Sequence, residues 1–215
     1  MADSREIWAR QIIRKVDPAC RPRWEVFDDL IKAQADKTHI CLNLGSGTAE
    51  PFDQPQHFRL AFDIDISAPD TGIIRTVPFL QADLYNLPLK EGSVDLVLLR
   101  FVVEHITLPI AAFSEIFRIL KSGGKVLIIT TNLISPFICL PKILLPYRWR
   151  NILIRKLYKV SADDVFPTHH RLNTRKAYNR FKEQFNIIKW DYLQDINWTR
   201  RWLFLLLFAF HLKTK

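Results

Sequence analysis

The chain has 215 residues, 48% of them hydrophobic and 25% charged, which excludes a disordered or fibrous protein and fits one domain with a sizeable core. Three cysteines (Cys20, Cys41, Cys139) are too few and too scattered for a disulfide framework or a zinc site, and they suit a reducing compartment. The formal charge is +9, but residues 1–141 hold 15 Lys and Arg against 17 Asp and Glu, whereas residues 142–215 hold 16 against 5. That split excludes an evenly basic nucleic-acid coat and implies a near-neutral body with a basic, aromatic-rich tail.

Residues 1–37 read as N-terminal helices. Ile7, Trp8, Ile12, Ile13 and Val16 recur at helical spacing, Pro18 and Pro22 interrupt, and Trp24, Phe27, Leu30 and Ile31 mark one face of a helix over 23–35. Charges throughout the first eight residues argue against a signal peptide. Residues 38–131 alternate strands and helical segments. Strands are predicted at 39–45, 58–63, 77–83, 94–99 and 125–131, with a helix over Ile110 to Leu120 that Ser122-Gly123-Gly124 would close as a left-handed cap. The expected architecture is an α/β fold, a Rossmann-like open and mostly parallel sheet of six to seven strands with helices on both faces.

Residues 132–170 change style. Pro136, Pro141 and Pro146 sit among long aliphatics, and Arg148, Arg150, Arg155, Lys156 and Lys159 interleave with Trp149, Ile152, Leu153, Ile154 and Tyr158, which reads as a basic lid. Residues 171–215 then supply a helix over 174–184 and a strand over 186–192 to complete the sheet, followed by an apolar tail. The run from Trp202 to Phe210 is about half of the roughly 20 residues that span a bilayer, so no ordinary transmembrane helix is expected.

The chemistry concentrates in Leu44-Gly45-Ser46-Gly47-Thr48-Ala49, directly after the first strand. Glycines there let the backbone approach a ligand closely and leave amides free at a helix start. Asp63 and Asp65 end the second strand, where a carboxylate can accept both ribose hydroxyls of a nucleotide-like cofactor. A turn glycine pair with a solvated Asp would look the same. Three further pieces narrow the choice: Asp83-Leu-Tyr-Asn-Leu-Pro-Leu after the third strand, Gly92-Ser-Val-Asp95-Leu-Val before the fourth, and Phe117-Arg-Ile-Leu-Lys-Ser-Gly-Gly-Lys-Val-Leu before the fifth.

In this order and spacing the chain resembles the class I S-adenosylmethionine (SAM) dependent methyltransferases, in their small-molecule, type 11-like branch, closely over 38–131 and loosely over 165–192. The resemblance implies SAM as cofactor. Gly45, Ser46 and Gly47 would line its methionine part, Asp63 or Asp65 would hold the ribose with Asp63 preferred, and Asp83 with the Leu84 amide would meet the adenine. Arg100 and Phe101 would sit under the cofactor and face the acceptor. Asn43 and Ala49 depart from the family, which usually carries Asp and Gly there. An NAD-linked enzyme would want G-x-G-x-x-G, but Glu50 at its third glycine would oppose a pyrophosphate.

Methyl transfer asks the protein to align a nucleophile, exclude water and, where needed, remove a proton. His105 is the candidate base, with packing against the cofactor loop as the plain alternative. His169, His170 and Arg171 are candidate acceptor-binding residues, with an exposed loop as theirs. No Asn/Asp-Pro-Pro-Tyr loop follows the fourth strand and no cysteine follows a proline as cytosine C5 chemistry requires, so DNA bases are poor targets. No Cys/His pattern implies a metal. The expected reaction moves a methyl group to oxygen or carbon of a small, apolar or lipid-like acceptor. The alternatives are a catalytically silent membrane- or partner-binding protein and an RNA methyltransferase. The basic, aromatic tail suits an anionic membrane surface or a solvated lid. It suits nucleic acid less, because long aliphatics are wasted on RNA. The expected location is cytoplasmic, with or without peripheral attachment to the inner face of a membrane.

Overall fold

Runs of Leu, Ile and Val without polar alternation fold as strands covered on both faces, and Leu96 to Leu99, four consecutive residues with no more than 1% exposure, show this directly. The computed structural model describes residues 23–47, 54–68, 75–131 and 167–191, with isolated positions at 11, 12, 15, 18, 21, 146 and 193. Five strands are described: β1 (Ile40–Leu44), β2 (Leu60–Asp65), β3 (Phe79–Gln81), β4 (Val94–Arg100) and β5 (Leu120–Ile129). Every pairing is parallel, in the order β3-β2-β1-β4-β5. The expected Rossmann-like open parallel sheet is therefore present, with five strands among the described residues.

The chain first steps outward from β1 to β3 and then resumes on the other side with β4. The order reverses between β1 and β4, and such a switch point opens a crevice at the carboxyl ends of the strands. Two helices are described, α1 (Arg23–Ala33) and α2 (Pro109–Ile119). Proline at the start of α2 lacks only an amide that would have no partner there. Ala112, Phe113, Ile116 and Ile119 bury its inner face, leaving Ile110 and Phe117 outside.

The chain divides into two compact units. One comprises 29–140 and 166–190 and holds the sheet; the other comprises 1–28, 141–165 and 191–215, of which the first half of α1 and a few positions are described. Most of the helical pattern over 5–16, the helix start behind Gly47, most of the basic 132–170 stretch and the apolar tail lie outside the described residues.

Three local expectations need correction. Ser122-Gly123-Gly124 does not cap α2, which ends at Ile119 with Leu120 already extended at φ −72°, ψ 136°. The glycines lie inside β5, at an irregularity where Val94 pairs with Leu120 but Leu96 pairs with Lys125. A Cβ on Gly124 would stand 2.8 Å from the Lys121 carbonyl oxygen and 3.3 Å from that of Asp95, so backbone approach keeps that position small. The helix expected over 174–184 is a 3₁₀ segment, Arg175–Phe181. Its threefold period stacks Tyr178 and Phe181 toward one side, where Phe181 lies 4.5 Å from Phe113 ring to ring. Residues 186–191 have no strand conformation, and Ile188 is 82% exposed.

Leu98 has no exposure in the central strand β4. Leu98→Ala should cost about 2–5 kcal/mol of unfolding free energy. Ile110→Ala on the open face of α2 should change it by less than about 0.5 kcal/mol, both read by urea denaturation.

Candidate functional site

The turn after β1 lies at the switch point. Gly45 and Gly47 adopt φ of +71° and +70°, which side chains rarely tolerate, so the glycines answer a backbone requirement. The Gly45 and Ser46 amides both donate to the Ile64 carbonyl, at 2.8 and 3.1 Å. A Cβ on Gly45 would stand 2.3 Å from Val102 Cγ2, whereas one on Gly47 would meet nothing within 4 Å among the described residues. The loop is thus pressed on the chain leaving β4 at its first glycine and open at its second. The Gly47 amide donates to Asp65 Oδ2 at 2.8 Å, and Asp65 Oδ1 accepts the Ser67 amide at 2.9 Å.

Beneath this turn a carboxylate is shut in. Asp63 has no exposure, and its cross-strand partner in the register is Asn43. Asn43 Nδ2 donates to Asp63 Oδ1 at 2.8 Å, and Arg75 Nη1 donates to Asp63 Oδ2 at 2.7 Å. The second arm of Arg75 donates to the Gly47 carbonyl at 2.8 Å, and its guanidinium lies 4.5 Å above the Phe79 ring. Arg100 Nε donates to Asn43 Oδ1 at 3.3 Å. Burial pushes the Asp63 carboxyl up, while the bonds from Asn43 and Arg75 pull it down. Burial also pushes the neighbouring Cys41 thiol up to about 12, so it is inert.

A family model described as a methyltransferase domain matches residues 42–128, from the middle of β1 almost to the end of β5. Over these residues the chain is similar to methyltransferase domains. The chain is similar to the ubiquinone/menaquinone biosynthesis C-methyltransferase UbiE of Shewanella pealeana, with 26% identity over 108 residues, 50% of this chain and 37% of that protein. It is 35% identical over 60 residues to the UbiE of Coxiella burnetii strain Dugway, 28% of this chain and 24% of that one. The chain thus spans well under half the length of these curated relatives. Among solved structures it is similar to geranyl diphosphate C-methyltransferase from Streptomyces coelicolor, with 20% identity, 74% of this chain and 57% of that one covered, and a TM-score of 0.48. The YcgJ protein of Bacillus subtilis shows 18% identity, 63% and 59% coverage and a TM-score of 0.45.

Within this matched stretch the two acids of β2 have different surroundings. Asp63, preferred from the sequence for the ribose, has both oxygens committed inside the sheet. Asp65 is half-exposed at the strand end, one residue past the last β1–β2 pair, Leu44 with Ile64. Asp83 is exposed after β3, its Oδ1 accepting the Tyr85 amide at 3.0 Å, and Leu84 is half-buried beside it. Arg100 closes β4, and Phe101 follows in a left-handed conformation, φ 56°.

The histidine candidates, more than sixty residues apart in sequence, come together. The His169 and His170 amides both donate to the Glu104 carbonyl, at 2.7 and 3.0 Å, and Arg171 Nη1 donates to the Thr107 carbonyl at 2.6 Å. His105 Nδ1 donates to the Pro167 carbonyl at 3.0 Å, which fixes that nitrogen as the protonated one. His169 and Arg171 are exposed, and His170 is half-buried with φ 50°.

Sequence reasoning passed over Arg75, Glu104 and Asn173. Glu104 is 3% exposed and accepts the Thr130 hydroxyl at 2.7 Å; Asn173 Nδ2 donates to the same Thr130 oxygen at 2.8 Å and to the Thr131 carbonyl at 2.7 Å. The signal for Glu104 was a lone acid directly after the apolar Phe101-Val102-Val103. Arg75 and Asn173 carried none. Burial pushes the Glu104 carboxyl above its ordinary 4.5, against the Thr130 hydrogen bond, and burial followed by the Glu104 charge pushes the Tyr178 phenol up.

Gly45→Ala should cost about 1–3 kcal/mol, from the left-handed φ together with the Val102 overlap. Adding Val102→Ala should recover only the overlap, a distinction that urea denaturation of the single and double variants measures. Folding makes Glu104 hold its proton more tightly, so it contributes stability that is complete below its ordinary 4.5 and is lost as pH rises toward the folded value. Glu104→Gln removes that titration. Its melting temperature relative to the parent should therefore climb between about pH 4 and pH 7.5, as read by thermal unfolding followed by circular dichroism.

Proposed function

We propose that the chain is a SAM-dependent methyltransferase that methylates carbon or oxygen of a small, apolar or lipid-like acceptor. The observation that carries this reading is the Gly47 amide bonded to Asp65 across the carboxyl ends of β1 and β2. It sets a half-exposed carboxylate beside a backbone turn whose second glycine, among the described residues, has no neighbour where a Cβ would stand. Asp65 rather than Asp63 then holds the ribose hydroxyls, because Asp63 has no oxygen to offer. Gly45, Ser46 and Gly47 line the methionine part, Asp83 and the Leu84 amide meet the adenine, and Arg100 and Phe101 lie beneath.

When bound, SAM supplies a methyl carbon activated by its sulfonium. The protein has to align the acceptor's nucleophile with that carbon, keep water away and accept any proton released. His105, whose Nδ1 donates to the Pro167 carbonyl, is the candidate base. His169, His170 and Arg171, bonded to the same turn, are the candidate acceptor contacts. One observation supports activity over a silent fold: Asn43, where the family usually carries Asp, donates at 2.8 Å to the buried carboxylate of Asp63 beside it. The C-methyltransferase activity of the UbiE relatives in ubiquinone and menaquinone biosynthesis favours carbon over oxygen and an apolar acceptor. No helix among the described residues is long and apolar enough to cross a membrane. The basic, tryptophan-bearing tail supports contact with an anionic membrane surface, where such an acceptor dissolves.

Isothermal titration with S-adenosylhomocysteine tests the cofactor reading. The parent should bind, and Asp65→Asn, which keeps an acceptor for Gly47 but loses the charge, should bind roughly tenfold to a hundredfold more weakly. Failure of the parent to bind at millimolar ligand removes the reading. Equal binding by Asp65→Asn removes the ribose assignment.

A further inference from the structure

We propose that Arg75 is a positioning residue for the glycine turn, holding it in its ligand-receiving conformation from the buried carboxylate of Asp63. The proposal rests on the cofactor site above.

The turn can be held from two sides. On its amide side Gly47 is tied to Asp65, and on its carbonyl side to Arg75 Nη2, at 2.8 Å each. Arg75 comes from the chain between β2 and β3, and its side chain is only 9% exposed. It is anchored at a second point by Nη1 on Asp63 Oδ2 at 2.7 Å and flattened over the Phe79 ring at 4.5 Å. Asp63 is itself fixed from the far side by Asn43, which accepts from Arg100 at the end of β4. A continuous line thus runs from Arg100 through Asn43, Asp63 and Arg75 to the Gly47 carbonyl.

Only arginine meets both demands. Its planar fork presents two nitrogens to two acceptors in fixed geometry, whereas lysine is a point charge that satisfies one well. A plain ion pair would need Nη1 alone. The second arm reaches backbone in a turn where both glycines are left-handed, and a small displacement of positioning groups costs a ligand far more than it costs the fold.

The test separates holding the turn from neutralising Asp63. Arg75→Gln alone strands a buried carboxylate and should lower both the melting temperature and the affinity for S-adenosylhomocysteine. Asp63→Asn with Arg75→Gln removes the charge pair together, so the melting temperature should return toward the parent. Affinity should stay reduced by roughly tenfold or more. Arg75→Lys should lie between. Amide hydrogen exchange supplies a readout that needs no ligand. In the double variant, exchange at Gly45 to Gly47 should speed up while β1 and β4 keep parental protection. If affinity and turn protection recover in step with the melting temperature, Arg75 is an ion-pair partner alone and the proposal fails. If the parent binds no S-adenosylhomocysteine, the cofactor reading falls, and hydrogen exchange still decides whether Arg75 holds the turn.

Discussion

A carboxylate with no solvent exposure, set between parallel strands, imposes conditions on everything near it. Asp63 lies opposite Asn43 in the β1–β2 register and can stay there only if hydrogen bonds and a counter-charge replace the water it lost. Asn43 supplies the first and Arg75 the second. Both suppliers are then fixed in turn, Asn43 against Arg100 and Arg75 against the glycine turn. The cost of enclosing one charge organises the carboxyl end of the sheet beneath the glycine turn.

The two acids of β2 show where sequence reading stops. Asp63 and Asp65 are two residues apart, so strand alternation sends both toward the same face and cannot separate them. What separates them is where the neighbouring strand ends. β1 pairs as far as Leu44 with Ile64 and then turns away at Gly45, so Asp63 is covered and Asp65 is the first acid past the cover. That boundary depends on register, which no local pattern records.

Features written in local chemistry were legible. The glycine turn, the apolar strands β1 and β4, and the amphipathic α2 each declare themselves by composition or spacing. The glycines near β5 were recognised as special but given the wrong task, because a left-handed glycine serves a helix cap and a strand irregularity equally well. Tyr178, Phe181 and Phe185 are spaced three and four apart, which suits an α-helix, so spacing alone could not disclose the 3₁₀ segment that ends at Phe181. Arg75 stood in a stretch with no periodicity. Its role came from the partners that the fold delivered to it.

The bonds around Glu104 bear on how this scaffold can change over generations. The chain departs from the sheet at Thr131 and is back against the turn after β4 by Pro167; Asn173 is bonded to the departure point, and His169 and His170 to the return point. Both mooring points belong to the unit that carries the glycine turn. The bond from the His169 amide uses backbone alone, which any residue but proline supplies, so the side chain there can be exchanged while the tie to Glu104 stays. Glu104, Thr130 and Asn173 hold one another through their side chains, and a change at any one of them leaves a buried polar group without its bond.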